Sequence, residues 1–125
     1  MQGASALQDA LSRQPKPLTV FAVWEPVLKG DVAPTTETLA HLSDPRVTQL
    51  WDPEHLVSTA IAEGMRAHPG PLPLERQRTK TGILWDAVVV YAPRTTWDTT
   101  LPAPLWLDGD VDDVITGFEK ILLPL

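Results

Sequence analysis

The sequence predicts an α/β domain, a three-layer sandwich in which helices cover both faces of a four-stranded mixed sheet. Two near-continuous apolar runs at residues 18–24 and 83–92 have the length and β-branched content of covered strands. Stretches with apolar residues at helical spacing alternate with them, which is the order a layered α/β fold requires. Prolines stand at borders rather than inside periodic segments, at Pro15, Pro17, Pro26, Pro34, Pro45, Pro53, Pro69 and Pro93. A proline lacks a backbone donor and pushes its predecessor out of helical geometry, so these positions punctuate a compact fold.

The first expected element is a short helix over residues 5–13, with Ala6, Leu7, Ala10 and Leu11 on one face and Ser5 as its cap. Residues 18–24 (LTVFAVW) follow as a central strand, then a loop over 25–34 containing Gly30. A second helix is expected from about residue 36 to 42, opened by a Thr cap and stopped at Asp44-Pro45. Residues 47–51 form the second strand. Asp52-Pro53-Glu54 reads as a helix start, with an acceptor at the cap, Pro at the first position and an acid in the first turn. That helix runs to residue 67 with Leu56, Ala60, Ile61 and Met65 inward. A Pro-rich, locally basic loop over 69–81 carries Arg76, Arg78 and Lys80. The third strand covers 83–92, a loop 93–104, and a short edge strand 105–107. The last helix places Val111, Val114, Ile115, Phe118, Ile121 and Leu122 on one stripe. Crossover connections make the first two strands parallel, and the final pair closes as a hairpin.

At 125 residues the chain fits one domain over residues 1–125, with 1–15 as an N-terminal helical extension. The net charge of -6 argues against a phosphate-backbone partner, which needs Lys and Arg to neutralise it. No apolar run approaches the ~20 residues that cross a bilayer. Residues 1–14 carry neither a basic leader nor a long apolar stretch, so the expectation is cytoplasmic, with a removed signal peptide and export as the alternative. The chain has no cysteine, which excludes disulfides, zinc–thiolate clusters and thiol nucleophiles. No cofactor is expected.

This order and length resemble the thioredoxin-like fold in three places. Val20-Phe21-Ala22-Val23-Trp24 resembles the strand that feeds the redox motif, Gly82-Ile83-Leu84 through Tyr91 the later central strand, and Gly109 through Leu123 the terminal helix. The family's paired cysteines would fall at Trp24-Glu25-Pro26-Val27-Leu28, and its cis-proline at Gly82-Ile83-Leu84. Both redox elements are missing, so the resemblance implies a redox-silent member and transfers no catalytic residue.

All five tryptophans stand near acids: Trp24-Glu25, Trp51-Asp52, Trp85-Asp86, Trp97-Asp98, and Trp106 two residues before Asp108. With the first two strands parallel and the third opposed, the sheet would bring Trp24, Glu25, Trp51, Asp52, Trp85, Asp86 and Trp106 to one lip. Open α/β sheets bind ligands at such strand ends. An aromatic–carboxylate rim suits a cation, a sugar or a basic peptide. The structural alternative makes the indoles core edges and the acids caps, with Asp52 as the N-cap of its helix.

Asp86 interrupts an apolar strand, and a buried carboxylate must be paired, hydrogen-bonded or neutralised. A desolvated carboxyl is what a general acid or base needs, so Asp86 and Glu25 are catalytic candidates, with His55 or Arg46 assisting. The alternative pairs Asp86 with backbone N–H groups or Arg46, or leaves it in solvent. Asp52 and His55 could share a metal with Glu25 or Asp86, although the spacing is unspecific and a surface histidine is the commoner case. Residues 108–119 echo a calcium loop, but Asp113 stands where the turn glycine belongs, and Asp110, Asp112 and Asp113 are explained by a helix N-terminus. No nucleophile elbow or glycine-rich phosphate cradle occurs. The expected function is a non-redox binding or interaction domain for a protein or small molecule. A carboxylate-based enzyme, metal-assisted or not, and a homodimeric scaffold are the alternatives.

Overall fold

The computed structural model describes residues 2–68, 84, 86–111 and 120. Helix α1 spans Gln2–Arg13, strand β1 Val20–Trp24, helix α2 Thr36–Leu39, strand β2 Val47–Trp51 and helix α3 Leu56–Ala67. Strand β3 follows at Ala87–Val90 and β4 at Trp106–Gly109. The expected terminal helix and the basic loop over 69–81 lie outside the described residues, apart from Val111 and Lys120.

The strands form two separate sheets rather than one. β1 and β2 pair in parallel, with Val20 opposite Val47 and Trp24 opposite Trp51. β3 and β4 pair antiparallel, Ala87 opposite Gly109 and Val90 opposite Trp106. Among the described residues no ladder joins the two pairs. The four-stranded mixed sheet is therefore overturned, and with it the thioredoxin-like three-layer arrangement. One cause is local: Asp86 takes φ 48°, a left-handed conformation that breaks extended backbone. The apolar run around it yields four residues of strand, beginning only at Ala87. Leu84, just before the break, packs into the core instead of pairing.

The cores follow from the period-2 alternation of β3 and β4. Val89 and Leu107 face one way and join Ile61 and Met65 of α3, together with Leu84 and Leu101. Val88, Val90 and Trp106 face the other way, against Leu7 and Ala10 of α1 and Leu18. The hairpin thus lies between α1 and α3, while the β1–β2 pair is covered less completely. Phe21 is 60% exposed and Leu50 44% exposed, on the face opposite Trp24 and Trp51. The expectation that the first apolar run is covered on both faces fails there.

The start of α3 also differs from expectation. The helix begins at Leu56, after His55 in a left-handed conformation at φ 57°. Asp52 still caps it, reaching forward to accept from the Leu56 N–H at 3.0 Å and the Val57 N–H at 2.8 Å. Those are two of the first-turn donors that a helix cannot satisfy internally.

Tyr91, just past β3, has a buried hydroxyl with no hydrogen-bond partner, and burial pushes its pKa up to about 12. Its ring meets Trp97 edge-on at 5.5 Å, a contact that phenylalanine would keep. Tyr91→Phe is expected to stabilise the protein by about 1 kcal/mol, because it deletes an unmet polar group and leaves the ring packing. A lower urea midpoint for the variant would show that the hydroxyl has a partner in solution. No described helix is long and apolar enough to cross a membrane.

Candidate functional site

The parallel register of β1 and β2 puts Val20, Ala22 and Trp24 on one face with Val47, Gln49 and Trp51. The Trp24 and Trp51 side chains therefore leave the sheet side by side at its C-terminal end. Gln49 fixes the first of them. Its Oε1 accepts from Trp24 Nε1 at 2.9 Å, while its Nε2 donates to the carbonyls of Leu39 and Leu42 at 2.9 and 3.0 Å. One amide thus ties the indole to the α2 segment above the strands.

The loop after β1 completes a groove. Asp31 Oδ2 accepts from the N–H groups of Val27 and Leu28 at 2.8 and 2.7 Å, closing a tight turn in which Gly30 takes φ 93°. The Leu28 bond first, and the Val27 bond second, hold the Asp31 carboxyl below its usual range. Thr35 caps α2 by accepting from the Thr38 N–H at 3.2 Å. Trp24, Glu25, Asp31, Thr35, Thr38 and Trp51 line a groove of about 390 Å³.

Glu25 links the groove lining to α3. Ser58 Oγ lies 2.6 Å from Glu25 Oε2 and 3.0 Å from the Leu84 carbonyl, so one hydroxyl proton faces two acceptors. Glu25 Oε2 is the nearer of the two, so the Ser58 hydroxyl ties the residue after β1 to α3. Burial raises the Glu25 pKa, the Ser58 bond and the charge of His55 lower it, and Asp52 raises it again, for a net upward shift. Its Oε1 is buried without a hydrogen-bond partner, in keeping with burial as the main cause of that shift.

The sign of the pH effect follows. A folded-state pKa raised above the ordinary 4.5 contributes stability that is fully present below pH 4.5 and lost as pH rises through the folded value. Glu25→Gln keeps an oxygen to accept from Ser58 and cannot ionise. The variant is expected to equal or exceed the parent in thermal stability at pH 7, and to lack the decline above pH 4.5. A parent-like decline in the variant would assign that titration to another group.

The remaining expected site residues divide. His55 Nε2 donates to the Pro26 carbonyl at 2.6 Å, pinning the loop after β1 to the start of α3. Asp52 is 7% exposed and occupied as the cap. Among the described residues no group of three His, Asp or Glu side chains could hold a metal. Asp86 is exposed, and its Oδ1 accepts from the Val111 N–H at 3.2 Å, so it is not the desolvated carboxyl expected of a strand interior. Trp106 packs in the α1 core, and Trp97 lies against Tyr91. Trp85 is outside the described residues. Arg46 is committed to Asp44 and to three carbonyls near the end of α1. Of the expected lip, the structure brings together Trp24-Glu25 and Trp51-Asp52, the two pairs whose strands are hydrogen-bonded.

No family model, curated protein or solved structure matches the chain. Function must therefore be argued from the groove itself. Three of its determinants escape a reading of aromatic–acid pairs: Gln49, Asp31 and Ser58. Each has a signal in the sequence. Gln49 breaks the apolar phase of β2 between Val47 and Trp51, Ser58 falls on the same helical stripe as Ile61 and Met65, and Asp31 follows a glycine.

Proposed function

We propose that this chain is a ligand-binding domain whose site is the groove at the C-terminal ends of β1 and β2. The observation that carries this reading is the pairing of Trp24 with Trp51 in register beside a recess of about 390 Å³. That volume is in the range of small-molecule sites, and the lining mixes aromatic surface with a few placed polar groups. The Gln49 bridge supports it further, because an indole held before the ligand arrives loses less freedom on binding. A fragment library followed by the indole N–H resonances of the labelled protein tests the reading. Hits should move the Trp24 and Trp51 signals together and leave those of Trp97 and Trp106 in place. Hits that cluster on Trp97 or Trp106 instead would overturn it.

A second reading, self-association through the opposite face of the same strand pair, is favoured by the exposed Phe21 and Leu50 side chains. Sedimentation velocity across a hundredfold concentration range separates the two. A monomer throughout removes self-association, whereas a concentration-dependent dimer abolished by Phe21→Ser supports it.

A further inference from the structure

We infer that the ligand of the Trp24–Trp51 groove is a small organic ammonium cation, an inference that rests on the groove being the binding site. Three features of the lining point the same way. None of the described lining residues is Lys, Arg or His, whereas Glu25 and Asp31 both contribute. The groove's hydrogen-bond donors are partly spent within the protein: Trp24 Nε1 on Gln49, and the Thr35 hydroxyl on Thr38 Oγ1 at 3.1 Å. The acceptors are spent only in part. Asp31 uses Oδ2 for both backbone donors, which leaves Oδ1 without a hydrogen-bond partner among the described residues. A lining with two acidic side chains and no basic one selects a ligand that donates or carries positive charge, and disfavours anions.

The aromatic surface narrows the class. Among the described residues the one close ring pair is Tyr91 with Trp97, so Trp24 and Trp51 do not stack on each other and their π-faces are not consumed by mutual contact. Indole is the best side chain for attracting a cation to its face, and the contact gains strength with partial desolvation. Both indoles are half-buried. A bare metal ion would want three or more converging oxygen or nitrogen ligands, and no such group occurs among the described residues. A sugar would want several paired donors and acceptors around its ring, where this groove offers mainly acceptors. An alkylammonium headgroup uses what is present: indole surface for its methyl or methylene groups and the Asp31 carboxylate for its charge. The protein's net charge of -6 adds a long-range attraction of the same sign.

The test compares choline with its uncharged carbon isostere, 3,3-dimethyl-1-butanol, and with methyl glucoside. Binding to the full chain is read by tryptophan fluorescence and by the indole N–H resonances. Choline should bind saturably, about tenfold more tightly than the isostere, and more weakly as salt rises. Trp51→Leu should reduce choline affinity by about tenfold. Asp31→Asn should reduce it several-fold, and this variant keeps an oxygen to accept from Val27 and Leu28, so its fold is preserved by design. Isostere or glucoside binding equal to choline, lost in Trp51→Leu, would overturn the cationic class and leave the groove as the site. Failure of all three probes to perturb Trp24 or Trp51, or choline binding unchanged in both variants, would overturn the site as well.

Discussion

Gly64→Ala is expected to destabilise the protein by about 2 kcal/mol, although alanine is the better helix former by about 1 kcal/mol in an open site. Gly64 lies inside α3 and is buried. A Cβ built there would stand 2.9 Å from both the Cβ and the carbonyl oxygen of Leu101. A side-chain tip could swing away, but a backbone carbonyl and a Cβ move only with the chain. The segment at Leu101 therefore has to retreat from the core it shares with Ile61 and Met65, opening contacts that Leu84 and Leu107 also make. Overpacking and lost contact act together, and the propensity gain offsets only part of them. Urea denaturation should show a lower midpoint with an unchanged slope. A midpoint equal to or above that of the parent would mean that residue 101 is not held against α3.

Much of the local structure was legible in the residues, and the assembly was not. β1 and β2 are plain from an apolar run and from alternation, and Asp52 as a cap is plain from its place before a helical stripe. The start of α3 misleads because Asp52-Pro53-Glu54 satisfies the rules for a cap followed at once by a helix. In the fold His55 takes a left-handed turn, and the same carboxylate reaches on to the N–H groups of Leu56 and Val57, four and five residues along. Sheet order is a different matter. Period and composition say that a segment is a strand, but pairing depends on which backbone edges meet, and a single left-handed residue such as Asp86 shifts where a strand begins. The expected lip divides along the same line. Trp24 and Trp51 share a face because their strands are register partners, and that follows from one parallel connection. Trp106 joins them only if all four strands share a sheet, and they do not.

Replacing Arg46 is expected to have the other large effect on stability. The guanidinium donates from Nε and Nη2 to the two Asp44 carboxylate oxygens at 2.9 and 2.8 Å. It also donates from Nη2 to the Leu11 carbonyl at 2.6 Å and from Nη1 to those of Gln14 and Lys16 at 2.6 and 2.7 Å. These carbonyls lie at the end of α1 and just beyond it, where helical partners run out, so one side chain from the start of β2 closes the helix and anchors the sheet to it. All five N–H groups of the fork are used, a geometry that lysine cannot reproduce. Arg46→Ala should destabilise by roughly 2–4 kcal/mol, and Arg46→Lys should recover less than half of that loss. The Asp44 pair gives a second readout. The Arg46 hydrogen bonds hold the Asp44 carboxyl at about 2, below its ordinary 3.8. A depressed folded-state pKa contributes stability that is present above pH 3.8 and lost as pH falls towards 2. Without the guanidinium that acid limb should shrink, because only the backbone N–H of residue 46, 2.9 Å from Asp44 Oδ1, is left to hold the carboxyl down. Parent-like stability in Arg46→Lys, or an unchanged acid limb in Arg46→Ala, would show that the contacts are not maintained in solution. The groove depends on the same anchor, since β2 carries both Gln49 and Trp51 directly beyond Arg46. A loosened β2 should therefore weaken ligand binding even though Arg46 does not line the groove.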